Sequence, residues 1–224
     1  MIRVVASTWP PQPGRPEVPP PWTPGPAPPQ RPPVYPPVPL VYEPAPGAGS
    51  LADRLLDRRT VLVSGPLDRT VATDAAARLM LLDGTGDDPI DLLLSCPDGD
   101  LVSAMSLADT VELVGVEVRA LCTGSLGGPP VLVFALASRR IAQPHATFRL
   151  SEPDLEIQGR AGDIAHETER HAALLADFLT RLAAATGRRP ESVAADLRAR
   201  RLLTAPEAKA YGLVDEIARR LRAT

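Results

Sequence analysis

Residues 89–115, "PIDLLLSCPDGDLVSAMSLADTVELVG", decide the fold. The run "IDLLL" is short, continuous and apolar, the pattern of a buried strand. "CPDGD" is rich in turn formers and ends the strand. "LVSAMSLADTVELVG" carries apolar residues at helical spacing and stops at Gly115. "VEVRALCTG", residues 116–124, then reads as the next strand. Strand, turn, helix and strand in this order form a βαβ unit, with parallel neighbours and a right-handed crossover.

The same alternation extends outward. Toward the N-terminus lie a helix in "SLADRLLDRRT" (50–60, Ser50 as candidate cap), a strand in "TVLVSGP" (60–66) and a helix in "TVATDAAARLMLLDG" (70–84). Toward the C-terminus, "GPPVLVFALAS" (128–138) starts a helix with Pro just inside, where a missing N–H costs little. "RRIAQPHATFRLSEP" (139–153) is a strand pair broken by Pro144. "AGDIAHETERHAALLADFLTRLAAATG" (161–187) is one long amphipathic helix stopped at Gly187. The pattern predicts an α/β fold with a parallel sheet under helical cover.

Composition divides the chain. Of its 27 prolines, 18 lie within the first 46 residues. Residues 1–47 therefore read as a Pro-rich disordered arm and residues 48–224 as the folded domain, since Pro lacks an N–H and fixes φ. The PxxP spacings and "PPVY" suit a Pro-binding partner, but they arise by chance in such sequence. The arm is read as a solvated tail or a removable pro-segment.

The net charge of −3 gives no reason to expect nucleic acid or an anionic membrane as partner. No apolar run approaches the ~20 residues of a membrane span, and the apolar start is too short for a signal peptide. A cytoplasmic location is expected. Cys96 and Cys122 show no disulfide framework and no metal-ligand spacing, so they read as buried thiols. His166 and His171 are five apart, whereas a zinc helix needs four. No cofactor or metal is expected.

One stretch suggests catalysis. "CTGSLGGPPVLVFA", residues 122–135, is a Gly-rich turn running into a helix, with Ser125 inside the turn. It is not a GxSxG elbow, because Thr123 stands where the first Gly belongs.

Four segments together resemble the proteolytic subunit of the ATP-dependent Clp protease. "LLTAPEAKAYGLVDEI" (202–217) is similar to the family's "(F/L)(L/M)SA.EA.EYGL(I/V)D.(V/I)". "RLLDRRTVLVSGPLD", "DDPIDLLLSCPDGD" and "QPHATFRLSEP" follow the family's other motifs in order and spacing. The likeness covers nearly all of residues 51–217. It implies a Clp-protease/crotonase-like spiral of βαβ units with a long protruding handle helix. It also implies stacked heptameric rings enclosing a chamber that a Clp ATPase feeds. The apolar stripe of "AALLADFLTRLAAA" is read as burial between rings.

The resemblance further implies a Ser nucleophile, a His base and an Asp orienter. The acid's slot holds Asp196. The base's slot holds Ser151, whose neutral hydroxyl takes no proton near pH 7 as imidazole does. The nucleophile's slot holds Gly128, or Gly127 with a one-residue gap. Ser125 falls two or three residues early, a shift of several Å where catalysis tolerates ~1 Å. The oxyanion turn, Gly-Gly in the family, holds Asp98 and Gly99, followed by Asp100, and acids there oppose a developing oxyanion.

Three readings follow. The first is a non-catalytic subunit joining or regulating a ring with an active Clp proteolytic paralogue and a Clp ATPase. The second is an active serine peptidase using a displaced Ser125, with His145 or another group as base. The third is an acyl-thioester enzyme or binder, by fold analogy alone. The sequence favours the first.

Overall fold

The computed structural model describes residues 51–153 and 161–218. The Pro-rich arm and the candidate cap Ser50 lie outside the described residues. The element order is α1 (Leu51–Leu56), β1 (Thr60–Ser64), α2 (Arg69–Asp83), β2 (Ile90–Ser95), α3 (Leu101–Leu113), β3 (Val118–Cys122), β4 (Ser125–Gly127), α4 (Pro130–Ala135), β5 (Arg139–Ala142), β6 (Thr147–Arg149), α5 (Ala161–Thr186), α6 (Pro190–Arg198), β7 (Leu202–Thr204), α7 (Ala205–Tyr211) and β8 (Glu216–Ile217).

Five strands form a parallel sheet in the order β1-β2-β3-β5-β8. The βαβ reading of residues 89–122 holds: β2 and β3 pair in parallel with Leu92 against Ala120. Alternate residues face the core. Val61, Val63, Ile90, Leu92, Leu94, Val118, Ala120 and Cys122 are all buried. The helices α2, α3 and α4 bury their apolar sides in the same core through Leu79, Leu107, Val131 and Phe134.

Sequence reading missed the second sheet. It is small, with three strands in the order β4-β6-β7. The β4–β6 pair is parallel and β6–β7 antiparallel. Strands of three residues carry too little alternation to be read from sequence. This sheet hangs on the core through Leu126 and Phe148, whose ring lies 5.3 Å from that of Phe134.

Helix ends follow their caps. Asp68 accepts from Val71 N at 2.9 Å at the start of α2, and Asp100 accepts from Ser103 N at 2.7 Å at the start of α3. Thr204 and Glu207 form a capping box on α7, and Gly212 closes it with φ of 92°.

The long α5 corrects one expectation. Its apolar stripe is used within the chain: Phe178, Leu182 and Ala183 are buried in the core, with Leu174, Leu175 and Leu179 packed against it. A burial between rings is not needed to explain that stripe. Nearer the N-terminal end, Ile164, His166, Thr168, Glu169 and Arg170 are exposed.

Candidate functional site

The site lies where β4 turns into α4. Gly128 forms the strand-to-helix elbow with φ of 61°, a conformation that glycine adopts without strain. A Cβ built there would stand 3.3 Å from Ser151 Oγ and 3.6 Å from Asp98 Oδ1. The fold thus brings together three residues that sequence reading assigned to nucleophile, base and oxyanion turn. Gly127 is the poorer place for a side chain, because a Cβ there would meet the Pro97 carbonyl oxygen at 2.2 Å.

Ser151 follows β6 and is 7% exposed. Leu150 N donates to Arg201 O at 2.8 Å, and Arg198 reaches Glu152 at 3.6 Å, so both neighbours of Ser151 are tied to the α6–β7 turn. Carried past the strand ends, the β6–β7 register sets Ser151 level with Arg200, which has φ of 50°.

Asp196, in α6, is committed elsewhere. Its carboxylate accepts from Tyr211 Oη at 2.8 Å and from Arg201 Nη1 at 3.0 Å. The Tyr211 ring also lies 3.8 Å from the Arg188 guanidinium carbon, and Arg188 Nε donates to the Tyr211 carbonyl at 2.9 Å. Burial, then the Asp196 hydrogen bond, pushes the Tyr211 hydroxyl well above its usual range. The Asp196 carboxylate therefore pins α7 to α6 and does not face an imidazole.

The Asp98–Gly99 turn satisfies one of its own donors. Asp98 Oδ1 accepts from Gly99 N at 2.9 Å. Gly99 itself is pressed on both sides: a Cβ there would meet Leu67 Cβ at 2.7 Å and Pro130 Cγ at 2.9 Å. Arg149, which sequence reading passed over, spans the site. Its Nη2 donates to Pro97 O at 2.8 Å and stands 3.9 Å from Asp98 Oδ2. Asp100 caps α3, its Oδ1 accepting from Ser103 N at 2.7 Å.

The other candidates stay apart. Ser125 opens β4 opposite Thr147, and no described residue hydrogen-bonds its hydroxyl. His145 is exposed. Cys96 and Cys122 are buried free thiols, and burial pushes each up to about 11. Among the described residues no group of three or more His, Cys, Asp or Glu could hold a metal, and no helix is long and apolar enough to cross a membrane.

The comparisons with known proteins agree with the motifs. The Clp protease family model matches residues 47–220. An ATP-dependent Clp protease proteolytic subunit-like protein of Streptomyces coelicolor is 37% identical over 172 residues, 73% of this chain and 80% of that protein. ATP-dependent Clp protease proteolytic subunit 2 of Gluconobacter oxydans is 34% identical over 75% of this chain and 77% of its own length. Its namesake in Corynebacterium glutamicum is 31% identical over 77% and 88%. Several motifs in order, a parallel α/β core and a family match across the domain lead to one conclusion: the chain belongs to the Clp protease family.

Proposed function

We propose that this chain is a non-catalytic subunit of a Clp-type proteolytic complex, joining or regulating a ring whose peptidase activity comes from an active paralogue. The observation that carries this reading is the Gly128–Ser151 pair. At the elbow where a nucleophile would stand there is no side chain, and its nearest side-chain neighbour is a hydroxyl rather than an imidazole. A hydroxyl has no basic lone pair near neutral pH to take a proton from a nucleophile.

Assembly has its own support. Leu62, Leu93, Leu121 and Ile141 are register partners across four adjacent strands. They form an apolar row on the sheet face turned away from Val61 and Leu92. Leu62 is 43% exposed, and the other three are half-buried. Parallel sheets are ordinarily covered on both faces, which fits a chain that buries this row against a neighbour.

The test is intact-mass analysis after treatment with a fluorophosphonate, which labels activated serines. The reading expects no adduct on this chain. A stoichiometric adduct at Ser125 would replace it with a displaced-nucleophile peptidase.

A further inference from the structure

A serine-type site needs N–H donors aimed at the oxygen that becomes charged, and one donor is commonly the residue following the nucleophile. At this elbow that residue is Pro129, buried at the N-cap of α4 with φ of −54° and ψ of −38°. Proline has no N–H to give. The next residue is Pro130, with none either. The Gly128 N–H is already spent on the Arg149 carbonyl at 2.9 Å. On the facing turn, Asp98 takes the Gly99 N–H at 2.9 Å. Beyond the prolines, Val131 N and Leu132 N bond to Gly128 O and Pro129 O.

We propose that Pro129, seconded by Asp98, silences this site independently of the missing Ser and His, because among the described residues neither the elbow nor the Gly99 turn offers the free backbone donor that an acyl-transfer oxyanion requires. The inference rests on the non-catalytic reading and says why refitting a nucleophile alone does not revive the site. Pro129 sits in helical backbone that alanine adopts equally well, so P129A adds an N–H without asking the chain to move.

A thiol at position 128 isolates the donor from the rest of a triad, since cysteine is nucleophilic without a base. The variants are G128C and G128C/P129A in the full chain, and the probe is p-nitrophenyl acetate. The thiolate sulfur attacks the ester carbonyl and forms a C–S bond. The carbonyl oxygen takes the electron pair as an oxyanion, which collapses and expels p-nitrophenolate, leaving an acetylated protein. Iodoacetamide is the control, because its displacement of iodide makes no oxyanion. The buried Cys96 and Cys122 contribute little background, because burial shields both thiols and disfavours their thiolates.

Adding P129A is expected to raise acetylation at position 128 by about 100-fold, with alkylation by iodoacetamide unchanged. D98G, freeing Gly99 N, is expected to add a further rise. Equal acetylation with and without Pro129 overturns the inference. So does a parallel rise in both reactions, or a thiol that neither reagent reaches, since access would then be the block. If position 128 refuses a side chain, S151C and S151C/P129A repeat the comparison from the opposite wall with a near-isosteric change, and equal rates there overturn it too. An adduct of fluorophosphonate on the unaltered chain sinks the non-catalytic reading without touching this comparison.

Discussion

The Cβ position of Gly128 lies 3.3 Å from Ser151 Oγ, while that of Gly127, one residue earlier, lies 2.2 Å from the Pro97 carbonyl. The two glycines are therefore not equivalent. G127A forces backbone apart and is expected to lose several kcal/mol, enough to yield little folded protein. G128A brings its Cβ into one tight contact, 3.3 Å from Ser151 Oγ, that a small side-chain shift relieves, and is expected to cost about 1–2 kcal/mol, chiefly for its left-handed backbone. Thermal unfolding of both variants checks the order, and a milder G127A would contradict it.

Asp196 acts in this structure as a clamp on Tyr211 and Arg201. D196A leaves the hydroxyl of the buried Tyr211 without its acceptor and is expected to destabilise by about 1–3 kcal/mol. D196N, which keeps an acceptor oxygen, is expected to recover part of that loss. Urea unfolding curves measure both. No change in D196A would remove the clamp from the account.

Much of this was legible in the sequence, for physical reasons that differ by element. The β2–α3 unit is long enough to show both periods, and the "PDGD" turn and Gly115 mark its joints. The motif at residues 202–217 carried the family. Three-residue β4 and β7 and two-residue β8 were out of reach, because their pairing depends on residues far away in the chain. The α5 stripe was visible, but what covers it was not, since packing on α3, α4 and α6 has no local signal. Gly128 and Ser151 stand out in the sequence only through the motifs around them. The commitment of Asp196 to Tyr211 was hidden, because it is a contact across 15 residues. In the sequence Pro129 looks like an ordinary helix start, and its missing N–H matters only at the elbow, which is a tertiary feature.

Acid stability tests the Arg140–Asp215 pair. The Arg140 guanidinium holds the Asp215 carboxyl below the usual carboxylate range, with burial opposing it. Such a group adds stability that is complete above the unfolded value of ~3.9 and is lost as pH falls through the lowered folded value. With Asp215 40% exposed, solvent screening limits the contribution to about 1 kcal/mol. In D215N the unfolding free energy is expected to fall less steeply between pH 5 and 3. Identical slopes in urea series across that range would contradict this.

The thiols offer a test of the core. Cys96 and Cys122 are buried among the central strands and pushed up to about 11. Both are expected to resist iodoacetamide in the native chain at pH 8 and to react fully in urea. Fast native labelling of either, read by intact mass, would show the sheet to be more open than described.

The most direct test of the central claim is native mass spectrometry of the fluorophosphonate-treated complex, after co-expression with an active Clp proteolytic paralogue from the same host. The account predicts mixed rings that contain this chain and carry one label for each copy of the paralogue and none for this chain. Rings made of the paralogue alone, with this chain left outside, would contradict it.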